Sequence, residues 1–176
     1  MGDRYSLAIT QSGKLFILGY NGDGRLGLND EINRKTPHLI NPSYFVNEKV
    51  VKITCGHCHS FAITETGKLF AWGLNHNGQL GLGHYNKVLT PTQINNKWFK
   101  GETVIYLSGG CEQSFIVTKS GKLFTFGKND CGQLGLNDKE DRNVPTQCGK
   151  DLFGEENKNK KVYNNLSFED VVFEFQ

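Results

Sequence analysis

Long apolar runs are missing from this 176-residue chain. None approaches the ~20 residues that a membrane-spanning helix needs. The opening MGDRYSLAIT has no cationic segment leading into an apolar stretch, so no signal peptide is read there. Charge of one sign is never concentrated. Twenty basic and 18 acidic side chains leave a net charge of +2, without a long block of either sign. That excludes a strong electrostatic footprint for nucleic acid or anionic lipid. Proline is scarce, at four residues, so the 21 glycines do not belong to a Pro/Gly linker. Cysteine is present at an odd count of five, which points to a reducing compartment. The expected location is therefore the cytoplasm, the nucleus or both, and not secretion.

Motifs that carry chemistry are also lacking. There is no G-x-S-x-G, no G-x-x-x-x-G-K-[ST] and no H-E-x-x-H. One apparent exception is GDGRLG at 22–27, which has the form of a dinucleotide-binding turn. That turn requires a βαβ unit with a helix opening at the glycines. Here a polar loop and Thr36-Pro37 follow instead. Another is Cys55-Gly56-His57-Cys58-His59, four metal-ligating side chains in five residues. An extended strand sends alternate side chains to opposite faces, so four ligands this close do not converge. No catalytic residue, cofactor or metal is expected.

Glycine is what the chain has in excess, against a typical ~7%. Its placement is periodic. GKLF occurs at 13–16, 67–70 and 121–124, and Leu-Gly-Leu at 26–28, 80–82 and 134–136, each step being 54 residues. Pro37, Pro91 and Pro145 keep the step, as do Ser6, Ser60 and Ser114. A fixed period near 50 residues signals a stacked or radial repeat architecture. The period also answers GDGRLG. Gly24 and Gly27 recur as Gly78 and Gly81 and as Gly132 and Gly135, whereas Gly22 faces His76 and Asp130. The retained glycines shape a turn.

Each unit predicts four short strands. In the second copy these are 60–64, a turn at Gly67, 69–73, a long turn built on Asn75, Gly78 and Gly81, a proline-bearing edge strand at 90–94, and 104–107 as the closing strand. Four strands per ~50 residues make a propeller blade. Apolar residues at both parities, as in Leu69-Phe70-Ala71-Trp72, fit blades covered on both faces. The positions expected to carry the repeat are Gly13, Gly19, Gly24, Gly27, Gly56, His59, Gly67, Trp72, Gly73, Gly78, Gly81, Gly110, Gly121, Gly127, Gly132 and Gly135. His59 is expected as a buried histidine bonded to a backbone group.

CGHCHSFAIT at 55–64, GKLFAWGLNHNGQLGLG at 67–83 and TPTQI at 90–94 resemble, in order, the repeat of the regulator of chromosome condensation family. The other copies drift: Trp72 becomes Leu18 and Phe126, and His59 becomes Tyr5 and Gln113. The resemblance implies an all-β fold, here a partial, three-unit β-propeller of four-stranded antiparallel blades, expected as a fragment of a seven-bladed one. It spans 1–149, divided as 2–55, 56–109 and 110–149 with a degenerate remainder. A polar linker is read at 150–165. Residues 166–176 read either as a divergent strand or as the start of a BTB/POZ domain, whose usual form is F-x-D-V-x-F. The implied function is a protein–protein interaction scaffold acting through its rim loops, with substrate capture for a BTB-type ubiquitin ligase adaptor as one form. The alternatives are guanine nucleotide exchange on a Ran-like small GTPase, and chromatin binding.

Overall fold

The computed structural model describes residues 4–149, which form three antiparallel sheets. The first is β1 (Tyr5–Ile9), β2 (Leu15–Gly19) and β3 (Arg34–Leu39). The second is β4 (Val50–Cys55), β5 (His59–Thr64), β6 (Leu69–Gly73) and β7 (Val88–Gln93). The third is β8 (Val104–Gly109), β9 (Gln113–Thr118), β10 (Leu123–Gly127) and β11 (Arg142–Gln147). Strand order within each sheet follows the sequence, so each is an up-and-down blade. The expected linker at 150–165 and the strand or domain start at 166–176 lie outside the described residues.

The hairpin turns form where expected. Gly13, Gly67 and Gly121 have φ of +80, +82 and +85°, in the left-handed region that glycine enters at no steric cost. Pro37, Pro91 and Pro145 fall in β3, β7 and β11, which pair on one side only. Each of these strands also breaks register against its partner, for example between Ala71 and Gly73. A proline removes one ladder donor, and an edge strand tolerates that loss.

One strand assignment is corrected. Residues 104–107 do not close the sheet that contains 60–64; they open the next one, as part of β8. A period states spacing and leaves phase open. The physical reason lies in the link. After Gln93 the chain runs through a 3-10 turn at Asn96–Phe99 before it pairs again, against β9. Asn41 and Asn95 cap the two such turns by accepting from Ser43 N and Lys97 N, and each turn buries one aromatic residue, Phe45 or Phe99.

The middle sheet is sandwiched, and its two central strands are buried at every residue. Ala62, Phe70 and Trp72 pack with Tyr5, Leu15, Ile17 and Leu26 of the first sheet. Phe61, Ile63, Leu69 and Ala71 pack with Leu107, Ile116, Phe124 and Phe126 of the third. Burial of each large side chain contributes ~1.5–3 kcal/mol. Both parities of β5 and β6 are therefore apolar because each faces a neighbour.

Candidate functional site

The sheets are joined by contacts that repeat in step with the sequence. Gly27 has φ +68°, and a Cβ there would lie 2.7 Å from Trp72 Nε1. Gly81 has φ +67°, and a Cβ there would lie 2.9 Å from the Phe126 ring. Gly24 similarly abuts Leu89, and Gly78 abuts the Asn143 backbone. The long-turn glycines thus serve two ends, backbone conformation and close approach of the next sheet. Trp72 Nε1 donates to the Arg25 carbonyl (3.0 Å), which meets the hydrogen-bonding need of a fully buried indole.

A hydroxyl relay accompanies this packing. Ser60 Oγ donates to Arg25 O (2.9 Å), and Ser114 Oγ donates to Gln79 O (2.8 Å). Tyr5 Oη lies 3.1 Å from Ser60 Oγ, and His59 Nε2 lies 3.1 Å from Ser114 Oγ. His59 is fully buried, as expected, but its partner is this side chain and not a backbone group. Since Ser114 gives its only hydrogen to Gln79 O, the imidazole carries its proton on Nε2. Nδ1 has no hydrogen-bond partner. Burial, with His57 and Arg25 nearby, pushes the His59 pKa down to about 3. Burial likewise raises the Tyr5 phenol above its ordinary value. Gly56 touches the imidazole directly, as a Cβ there would sit 2.2 Å from its Cε1.

Asn75, expected from the sequence to shape the long turn, does so together with its counterparts Asn21 and Asn129. Asn21, Asn75 and Asn129 are fully buried. Their Oδ1 atoms accept from Leu26 N, Leu80 N and Leu134 N, each at 2.9 Å. Their Nδ2 groups donate to Asp30 O, His84 O and Asp138 O, pinning the far side of each loop. The signal was present: these asparagines also stand 54 residues apart. Arg25 is a further residue of this framework, with no counterpart signal in the other copies, where Gln79 and Gln133 stand. It is buried, donates to His57 O (3.2 Å), pairs with Asp23 and lies under the Tyr20 ring.

The remaining expected positions lie at strand ends and turns. Gly19, Gly73 and Gly127 end β2, β6 and β10 with φ of +116, +108 and +105°. Gly110 stacks near Gln113. Gly132 and Gly135 have φ of +81 and +67°. Residues 55–59 do not assemble a metal centre. His59 turns into the sheet interface while His57 is exposed beside Cys58. Among the described residues no group of three or more His, Cys, Asp or Glu side chains could hold a metal ion, and no helix is long and apolar enough to cross a membrane.

The two ends of the sheets differ in charge. The long turns, with the short links 56–58 and 110–112, hold eight Asp and Glu against four Lys and Arg. The hairpin turns and 3-10 links hold seven lysines against three glutamates. Arg34 and Arg142, at the starts of β3 and β11, pair with Asp30 and Asp138 at the long-turn end, so the near-neutral total conceals a basic rim and a mildly acidic, largely ion-paired one.

Comparison with known proteins gives the same repeat. Residues 12–63, 66–117 and 120–161 match the Regulator of chromosome condensation (RCC1) repeat, and 50–79 match a second description of it. Human "Probable E3 ubiquitin-protein ligase HERC3" is 35% identical over 156 residues, 88% of this chain and 14% of that protein. Human "Protein RCC2" is 40% identical over 134 residues, 76% of this chain and 25% of that protein. The chain thus spans a quarter or less of these relatives. Among solved structures, human WBSCR16 aligns with TM-score 0.72 and 29% identity, over 84% of this chain and 38% of that one. Saccharomyces cerevisiae Prp20p, described with its binding to Gsp1p and histones, aligns with TM-score 0.74 and 22% identity, over 85% and 37%. At that identity the likeness shows the fold alone. Three matched repeats, a 54-residue step and three blades in the same order place the chain in the family of proteins built from RCC1 repeats.

Proposed function

We propose that the chain is a protein-binding scaffold whose acidic long-turn rim receives a basic surface of a partner protein. The carrying observation is the division of labour within each repeat. Its buried Asn75 and Ser60 bond within the repeat or to the neighbouring sheet, and His59 reaches the next sheet through Nε2. What differs between copies is exposed: Glu31 and Ile32 in the first long turn, His76 and Tyr85 in the second, Asp130 and Glu140 in the third. Rigid loops bearing variable side chains suit recognition. Oppositely charged partners are steered to such a rim. In a longer protein the module would capture substrate for a ligase, a reading supported by the likeness to HERC3. The experiment is binding of a candidate partner to rim variants. Glu31→Lys with Glu140→Lys should abolish it, while Lys97→Glu with Lys100→Glu on the opposite rim should leave it intact. Equal loss from both pairs would overturn the assignment.

A second reading, nucleotide exchange on a Ran-like GTPase, draws on the likeness to Prp20p. It predicts accelerated GDP release from Ran in the presence of the chain. Unchanged release at micromolar protein would remove it.

A further inference from the structure

The link between β4 and β5 sets a thiol against a base. Cys58 Sγ lies 3.0 Å from His57 Nδ1, so one proton is shared between sulfur and imidazole. The other buried cysteine among the described residues, Cys148, is held differently. Its Sγ donates to the Gly135 carbonyl (3.0 Å), and burial pushes that thiol up. A carbonyl accepts a hydrogen bond but cannot carry the proton away, whereas an imidazole can. Thiolate is the reactive form of cysteine, and a neighbouring histidine is one of the settings that favours it.

The pair is held from both sides. His57 N donates to Gly110 O, in the link between β8 and β9 (3.0 Å), and His57 O accepts from Arg25 Nη1 of the first long turn (3.2 Å). Cys58 O accepts from Leu74 N (3.0 Å). Neighbouring sheets thus fix the backbone of both residues, as a nucleophile and its base require. His57 is exposed while Cys58 keeps only 9% of its surface, so the sulfur is open to small reagents alone. The arrangement occurs once among the three copies. In the third, Cys111 and Glu112 stand at the places of His57 and Cys58, and in the first Arg4 stands at that of Cys58. The repeat therefore does not need this pair in order to fold.

We propose that Cys58 is an oxidation site for a small peroxide, with His57 as its base. His57 Nδ1 takes the thiol proton. Sγ then attacks one oxygen of hydrogen peroxide, so that an S–O bond forms and the O–O bond breaks. The departing hydroxide recovers the proton from His57 and leaves as water. Sulfur is oxidised by two electrons to a sulfenic acid, and the peroxide is reduced by two. Arg25 brings positive charge to the link through its bond to His57 O, and Asp23 offsets part of it. The site does not depend on the partner-binding reading above, because it needs only the thiol, its base and the reagent.

Dilute hydrogen peroxide with dimedone, which traps sulfenic acid, tests it on the 176-residue chain at pH 7, with mass spectrometry assigning each cysteine. Cys58 should be labelled before Cys111 and Cys131, although both of those are exposed. His57→Ala and His57→Gln should each slow labelling of Cys58 by about tenfold, the thiolate gained at pH 7 set against the lower nucleophilicity of a more acidic thiol. Between pH 8 and 6.5 both variants should lose rate about tenfold per pH unit, as an ordinary thiol does below its pKa, and the wild type clearly less. Far-UV circular dichroism checks that the variants stay folded, and in urea the lead of Cys58 should vanish. Labelling of Cys111 or Cys131 ahead of Cys58, or a Cys58 rate and pH profile unchanged in both variants, would overturn the proposal.

Discussion

His59 should make the stability of this fold depend on pH through one titration. Its folded pKa is held at about 3, against 6.5 for the free side chain. The unfolded chain therefore binds a proton that the folded chain refuses between these values. Stability is fully present above about pH 6.5 and falls as pH drops towards 3, by ~1.4 kcal/mol per pH unit when one proton is involved. At pH 5 the loss is about 2 kcal/mol relative to pH 7. The comparison protein is His59→Gln, which installs the residue that Gln113 shows at this place in the third copy. The amide can still donate to Ser114 Oγ, and it does not titrate. Urea unfolding followed by tryptophan fluorescence, from pH 7.5 to 5, gives the difference between the two proteins. All other groups are common to both proteins, so their contributions largely cancel. The wild type should lose its advantage steadily below pH 6.5. A difference that stays flat with pH would show that the imidazole accepts a proton in the folded state, and the inferred tautomer and burial would both be wrong.

Three substitutions probe the remaining elements. Gly81→Val forces a β-branched residue to φ +67° and into the Phe126 ring, so it should cost about 3 kcal/mol or more in urea unfolding. Asn75→Ala leaves Leu80 N and the His84 and Asn86 carbonyls without their buried partner, for a loss of about 2–3 kcal/mol, read in the same assay. His57→Ala should shift stability by no more than about 0.5 kcal/mol, and a chelator should leave the melting temperature unchanged; zinc in the purified protein, lost together with the fold, would contradict the account of residues 55–59.

The repeat was legible because its period, 54 residues, survives without insertion from Gly13 to Pro145. Hairpins and edge strands followed, since Gly67 and Pro91 each have few conformations open to them. The phase of the sheets was not legible. Val104 is an apolar strand residue whether it ends one sheet or begins the next, and only its pairing with Thr118 decides. The polar framework was half legible. Asn75 and Ser60 repeat as plainly as the glycines, but their roles depend on partners 5 to 35 residues away, Leu80 N and Arg25 O. For His59, the sequence suggested burial correctly. Its hydroxyl partner comes from another sheet, 55 residues on, which no local pattern reveals.

The outer strands β3, β7 and β11 each carry a proline and a broken register. An unpaired edge of this kind would otherwise template fibril growth between molecules. The prolines that mark the period thus also act as gatekeepers on the outer edge of each sheet.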